Sequence, residues 1–265
     1  PHFLYLDRKE KKEWADSTQG IKRKISLLIS LLLGKRLKKI DKKLVKRNNL
    51  NFTNSHFTKK AVDNLYDINT IVSYPPLDKR FKPSKNKLKE KFIFSSSRII
   101  PDKKYHWLIK SISFMKNKIP LYIAGSVDKK YKNYLIKLAK DNKVNIKFLG
   151  KLNTQEIIDY YSNAEVFVFP APKEDFGLVP AESISCGTPC IVWGDGAGPT
   201  EQIIDGINGY LAKPYDLKDF ARKIDLAIKN NIKIKNKSKI LSSSKKFSYE
   251  EIKKDFIGKI KKDLN

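Results

Sequence analysis

The sequence predicts an α/β fold, a doubly wound parallel sheet running from Lys91 towards the C-terminus with a smaller region before it. First, short apolar runs alternate with amphipathic stretches of helical period from Lys91 onward, the pattern of strands joined by crossover helices. Second, runs such as "CIVW" and "EVFVFPAP" are too continuously apolar for a strand with one wet face, and suit strands covered on both sides. Third, 265 residues with 40% hydrophobic and 31% charged side chains are enough to bury a substantial core, and are not the composition of a disordered chain.

In chain order, residues 21–47 place "ISLLISLLL" between Lys/Arg clusters, with Ile21, Ile25, Leu28 and Leu32 and then Leu37, Ile40 and Leu44 at helical spacing. This basic amphipathic helix has two readings, one lying on an anionic membrane and one packed on a core with its charged face in water. "NLNFTNSHFTKKAVDNLY" reads as a short strand and a helix capped near Asn54 or Ser55, and "TIVSYPPLD" as a strand stopped by Pro75 and Pro76. "DKRFKPSKNKLKEK" has no apolar period and carries Pro83, which makes it a linker. The expected domains are 1–82, a partial N-terminal region, 83–90, the linker, and 91–242, the sheet domain. Residues 243–265 are expected to form a helix turning back towards the N-terminal region after a Ser/Lys linker. Within 91–242 the strands are "KFIFSSS", "PLYIAGS", "NIKFLG", "EVFVFPAP" and "CIVW"; the helices are "YHWLIKSISFMKN", "KYKNYLIKLAKDN", "TQEIIDYYSNA" and "VPAESISC".

Charge and special residues limit the function. A net charge of +27 favours polyanions (nucleic acid, nucleotide phosphates, an anionic membrane), while the spread of lysines over the chain also fits a genome-wide codon bias. Cys186 and Cys190 flank "GTP" and read as small core residues, which points to a reducing, cytoplasmic compartment. Three scattered histidines offer no zinc cluster, so no metal site is expected. No apolar run reaches the roughly 20 residues of a spanning helix. The chain begins at Pro1, not Met, and is read as a fragment or a trimmed chain.

Ligands of such a sheet bind beyond the carboxyl ends of its strands. The first strand there runs into "SSSRIIPDKK", with Arg98 and Lys103; the second ends at Gly125; the third leads to Lys151, Leu152 and Thr154; the fourth leads to "EDFGLVPAE". Pro180 suits the first turn of a helix. The amides of Phe176, Gly177, Leu178 and Val179 would then point out of the helix start, an anion site suited to phosphate. Glu174 and Glu182 can accept hydrogen bonds from hydroxyls on either side of that phosphate, and hydroxyls flanking a diphosphate describe a nucleotide sugar. Taken alone, two acids at a helix N-terminus are also explained by the helix dipole.

"EDFGLVPAESISCGTP" resembles the E-x7-E motif of retaining glycosyltransferases of the GT-B fold, family 4, and "SSSRIIPDKK" resembles their Arg-x4-Lys segment. "PLYIAGS", "NIKFLGKLNTQEIIDYYSNAEVFVFP", "GPTEQIIDGINGYL", "NSHFTKKAVDNLY" and "VSYPPLD" match in the same order, so the likeness covers most of residues 50–225. It implies a complete C-terminal Rossmann-like domain plus the tail of an N-terminal one. It further implies that Arg98 and Lys103 bind the donor diphosphate, that Glu174 holds the donor sugar and Glu182 the ribose, and that Lys151–Thr154 lies beside the base. The donor would be a UDP- or GDP-sugar and the acceptor a glycan or lipid-linked molecule, in polysaccharide biosynthesis on the cytoplasmic membrane face. No cofactor is implied, and no D-x-D triplet occurs, in agreement with metal-free transfer. The family's "GG" stands here as "GAGPTE", and "PHFLYLD" resembles a segment whose leading histidine would precede Pro1; His2 is not that histidine. The chain is therefore expected to be the donor half of the enzyme with the tail of the acceptor half, and to transfer sugar poorly as it stands. A nucleotide-sugar epimerase or phosphorylase on the same scaffold is the alternative activity. A basic nucleic-acid-binding module is the other, against which stands the lack of an aromatic-rich basic motif or zinc-finger spacing.

Overall fold

A computed structural model of the chain describes residues 21–264; "PHFLYLD" and His2 lie outside them. By their contacts these residues form two compact units. One holds the described residues up to Asn51 with Ala61–Ile71, and the other Phe52–Lys60 with Val72 onward.

In the first unit, helix α1 runs Ile21–Val45; of its described aliphatic side chains Ile25, Ile29, Leu32, Leu33, Ile40 and Leu44 are exposed, while Leu37 and Val45 are half-buried. The Tyr66 hydroxyl donates to Asp41 at 2.7 Å, and Lys46 pairs with Asp67 at 2.9 Å. Asp63 accepts from both the amide and the hydroxyl of Thr70.

Strands β1 (Phe52–Thr53) and β2 (Ile71–Val72) pair, and helix α2 (His56–Tyr66) begins where the Ser55 hydroxyl accepts from the Thr58 amide at 3.0 Å. Six parallel strands follow: β3 (Ile93–Ser96), β4 (Leu121–Ala124), β5 (Ile146–Gly150), β6 (Val166–Val168), β7 (Cys190–Trp193) and β8 (Gly209–Ala212). Their spatial order is β5-β4-β3-β6-β7-β8. Ile93 pairs with Leu121 on one side and Val166 on the other, so the order reverses between β3 and β6.

Alternate residues of these strands feed two cores. Ile93, Ile123, Val168 and Ile191 pack on one face against helices α3 (Tyr105–Ser113), α4 (Lys129–Asp141) and α7 (Leu217–Lys229), with α5 (Thr154–Asn163) and α6 (Leu178–Ser185) on the other. On that second face Phe94, Tyr122, Phe167 and Val192 meet Ile158, Tyr161 and Ile184 of α5 and α6. Both registers of β4, β6 and β7 are apolar because both faces are covered, whereas the edge strand β5 turns Lys147 to solvent. Cys186 and Cys190 are buried free thiols; burial pushes Cys186 up to about 12 and Cys190 well above its ordinary value, so both are inert core residues.

The expected Ser/Lys linker is instead ordered. After the short helix α8 (Ile232–Lys235), helix α9 (Lys237–Ser244) buries Ile240 completely, and the Ser243 and Ser244 hydroxyls donate to the Ile240 and Leu241 carbonyls within the helix. One buried isoleucine decides the state where composition suggested none. The final helix α10 (Tyr249–Leu264) packs the Phe256 ring against Phe52 at a tilt of 45° and donates from Lys259 to the Val72 carbonyl at 2.7 Å, all within the second unit. Among the described residues no helix is long and apolar enough to cross a membrane.

Candidate functional site

The chain leaves β3 through Ser97 and Arg98 into a tight turn, Pro101–Lys103, ended by Lys104 in the left-handed region at φ 54°. This geometry carries the Lys103 ammonium across the switch between β3 and β6. There it meets the Glu174 carboxylate, which leaves β6, at 2.5 Å. Both side chains are half-buried, and the ammonium lies 5.9 Å from the Phe169 ring centroid. Arg98, on the same loop, is exposed and makes no ion pair among the described residues.

Between Glu174 and α6 the loop is held from several sides. Lys173, at φ 48°, donates its amide to Asp195 at 3.0 Å. The Gly198 amide donates to the Glu174 carbonyl at 2.9 Å. Gly177 stands at φ 71° before α6, where a Cβ would lie 3.3 Å from Glu174 Cγ, so the glycine and the acid are neighbours. No side chain caps α6, whose leading amides are therefore without an intrahelical or capping acceptor. Buried Gln202 donates from Nε2 to the Phe176 carbonyl at 2.6 Å and the Gly177 carbonyl at 2.9 Å.

Glu182, two turns into the segment, accepts from the Tyr161 hydroxyl at 3.0 Å, and that hydroxyl meets Ser96 Oγ at 2.7 Å. Burial holds the Glu182 carboxyl above its ordinary range, the Tyr161 hydrogen bond opposes this, and the charge of Asp78 adds to it. Gly125 stands at φ 138°, and what approaches it closely is the Ser97 carbonyl, 1.8 Å from where a Cβ would be. A larger residue there would push the β3 exit loop aside. Lys151, Leu152 and Thr154 surround the start of α5, which Asn153 and Glu156 close with a reciprocal capping box; Arg80 reaches Thr154 at 3.5 Å.

The structure thus brings Lys103, Glu174, Gly177 and the α6 start together, with Glu182 behind them. The Phe176 side chain turns away into a cluster with Leu77, Ala181 and Phe247, while Leu178 is exposed and Val179 half-buried. Sequence reasoning did not single out Tyr161, Gln202 or Glu201. Glu201 accepts from the His56 and Phe57 amides at 3.1 and 2.9 Å and from the Tyr74 hydroxyl at 3.0 Å, capping α2 from 144 residues away. The polar pair in "GPTEQ" beside the motif was the available signal. Burial and the Glu201 bond push Tyr74 up to about 12. A separate cleft of about 420 Å³, lined by His56, Lys59, Tyr74, Lys246 and Lys259 among others, shares no lining residue with the strand-end site. Among the described residues no group of three or more His, Cys, Asp or Glu could hold a metal.

Residues 76–246 match the model of a family described as glycosyl transferases group 1. Over 167 residues the chain is 29% identical to the capsular polysaccharide biosynthesis glycosyltransferase CapM of Staphylococcus aureus, which covers 57% of this chain and 42% of that protein. Over 186 residues it is 26% identical to the serotype-specific mannosyltransferase WbdA of Escherichia coli, covering 65% of this chain and 22% of that protein. The chain thus spans less than half the length of either relative. Among solved structures, Anabaena HepE in complex with UDP and glucose superposes with a TM-score of 0.73 at 20% identity, over 85% of this chain and 66% of that one. Sucrose-phosphate synthase of Thermosynechococcus elongatus gives 0.74 at 19%, over 87% and 62%. At such identities the superpositions speak to the fold, which is of the GT-B type.

Proposed function

Because the chain belongs to the glycosyl transferases group 1 family, we propose that it serves the transfer of a sugar from a nucleoside-diphosphate donor to a glycan or lipid-linked acceptor, with retention of configuration and without a metal, as in family 4. The observation that carries this reading is the Lys103–Glu174 pair, a cation and an acid meeting at the switch point of the sheet beside an uncapped helix start.

In this reading Lys103 leaves part of its contact with Glu174 for the donor's diphosphate, and exposed Arg98 joins it. The α6 amides add neutral donors and the positive end of the helix dipole. Charge-assisted bonds of this kind contribute roughly 1.5–3 kcal/mol each. They strengthen as the glycosidic bond breaks and charge gathers on the leaving phosphate, so they lower the barrier and do not merely hold the ground state. Glu174 turns to the hydroxyls of the donor sugar and Glu182 to the ribose, with the base between Gly125 and Lys151–Thr154. The base is uracil or guanine, and the names of CapM and WbdA support a polysaccharide acceptor. The exposed aliphatic stripe of α1 supports work at the cytoplasmic face of a membrane.

Lys103→Ala should weaken UDP or GDP binding about tenfold or more in calorimetric titration, given the worth of one charge-assisted bond. Any product of transfer, followed by proton NMR, should carry the donor's anomeric configuration and should form to the same extent in EDTA. An inverted product, or activity abolished by the chelator, would overturn this reading.

A further inference from the structure

Gln202 lies behind the Glu174–Glu182 segment and is 1% exposed. Its Nε2 reaches two successive carbonyls, those of Phe176 and Gly177. Turning its amide round would set an oxygen against both carbonyls, so the two bonds fix its orientation. Its own backbone is anchored in turn. The side chain of Asn208, fully buried, donates to the Gln202 carbonyl at 2.9 Å and accepts from the Ile204 amide at 2.7 Å.

The two peptide units that Gln202 grips are planar and trans, with each carbonyl opposed to the amide of the following residue. Drawing the Phe176 carbonyl inward therefore turns the Gly177 amide outward, and drawing in the Gly177 carbonyl does the same for Leu178. Neither amide donates to an acceptor among the described residues. Gly177, at φ 71°, lets the backbone take this path, and no side chain caps the helix in place of a ligand. An apolar residue of the same length would fill the space of Gln202 without aiming anything.

We propose that Gln202 is a positioning residue, which aims the amides of Gly177 and Leu178 at the phosphate nearest the donor sugar. The inference rests on the nucleotide-sugar reading above and adds to it the device that orients the helix start. Gln202 touches no substrate; it acts through two peptide planes.

The test compares Gln202→Met and Gln202→Leu with the unaltered chain, all shown folded by thermal unfolding at the titration temperature. UDP and GDP are titrated directly; uridine and guanosine, which lack phosphate, are measured by competition. Both variants should lose roughly tenfold in affinity for the diphosphate that the unaltered chain binds, the loss of aligned donors to a charged acceptor, while nucleoside affinity stays the same. A merely structural role would lower both affinities together. Equal loss for nucleoside and diphosphate, or no loss for either, would overturn the positioning role while leaving the nucleotide reading intact. Failure of the unaltered chain to bind either diphosphate would overturn the nucleotide reading, and this inference with it.

Discussion

Glu182 carries a conflict between folding and binding that can be measured. Its carboxylate is half-buried with one hydrogen bond from Tyr161, and burial raises its pKa from the ordinary 4.5. A carboxyl raised on folding holds its proton longer in the folded chain than in the unfolded one. Its contribution to stability is therefore fully present below 4.5 and is lost as pH rises through the folded pKa. Glu182→Gln, which cannot ionise, should match the unaltered chain at pH 4 and be the more stable of the two at pH 7.5, as read by urea unfolding. On the proposed nucleotide-sugar reading, the same variant should also bind nucleoside diphosphate more weakly, since the charge proposed to meet the ribose is lost. A variant less stable at pH 7.5 would show that the Tyr161 bond outweighs burial. Lys103 and Glu174 were legible in the sequence because each sits at a strand end at a fixed distance from a recognisable turn. Tyr161 and Gln202 were not, because each acts across the fold on residues 21 and 25–26 positions away.

Elements were legible where their period was strong. The strands from "KFIFSSS" to "CIVW" and the helices between them fall as expected, since each pattern satisfies one or both faces of the sheet. The structure adds α7, whose "LKDFARKIDLAIK" has a clear helical period that sequence reasoning passed over. It also adds two elements of weaker pattern: β8, whose "GYLA" is short and begins with a glycine, and α9, whose serines hide a single buried isoleucine. In neither of these two does local sequence decide; the sheet edge and the core do. Glycines make the same point experimentally. At Gly198 a Cβ would lie 2.0 Å from the Asp175 carbonyl oxygen and 2.5 Å from Phe176 Cα, both backbone atoms. Gly198→Ala should cost about 1–3 kcal/mol or more, as overpacking does, and should disturb the Glu174 loop that the Gly198 amide holds. Gly258, inside α10, is exposed with nothing within 4 Å of an added Cβ. Gly258→Ala should stabilise by about 0.5–1 kcal/mol through helix propensity. Thermal unfolding of the pair checks both signs, and a destabilising Gly258→Ala would contradict the helix assigned there.

At the scale of the whole molecule the question left by composition was whether +27 marks a binding surface or a lysine-rich background. Residues 21–47 hold eleven Lys or Arg and one Asp, a net +10, so more than a third of the net charge lies in about a tenth of the chain. A uniform bias would not concentrate it so. On the same helix Ile25, Ile29, Leu32, Leu33, Ile40 and Leu44 are exposed, and at 100° per residue they fall within an arc of about 120°. Leu32, 74% exposed, is no core residue in this structure. A narrow apolar stripe flanked by cations fits an anionic lipid surface, where each Lys or Arg contributes about 1 kcal/mol within a Debye length of roughly 8 Å at physiological salt. The protein should therefore co-sediment with vesicles containing phosphatidylserine and leave them as salt is raised to 0.5 M, about the level that screens such contacts. Lys39→Glu combined with Lys43→Glu should weaken sedimentation without lowering the unfolding temperature, because both side chains are exposed. Leu32→Asp should weaken it through the apolar stripe, again at unchanged stability. Equal partition onto neutral and anionic vesicles, or partition onto neither, would return α1 to the packed-helix reading, and so would a Leu32→Asp chain that unfolds several degrees earlier, because only a leucine buried on folding has that much to lose.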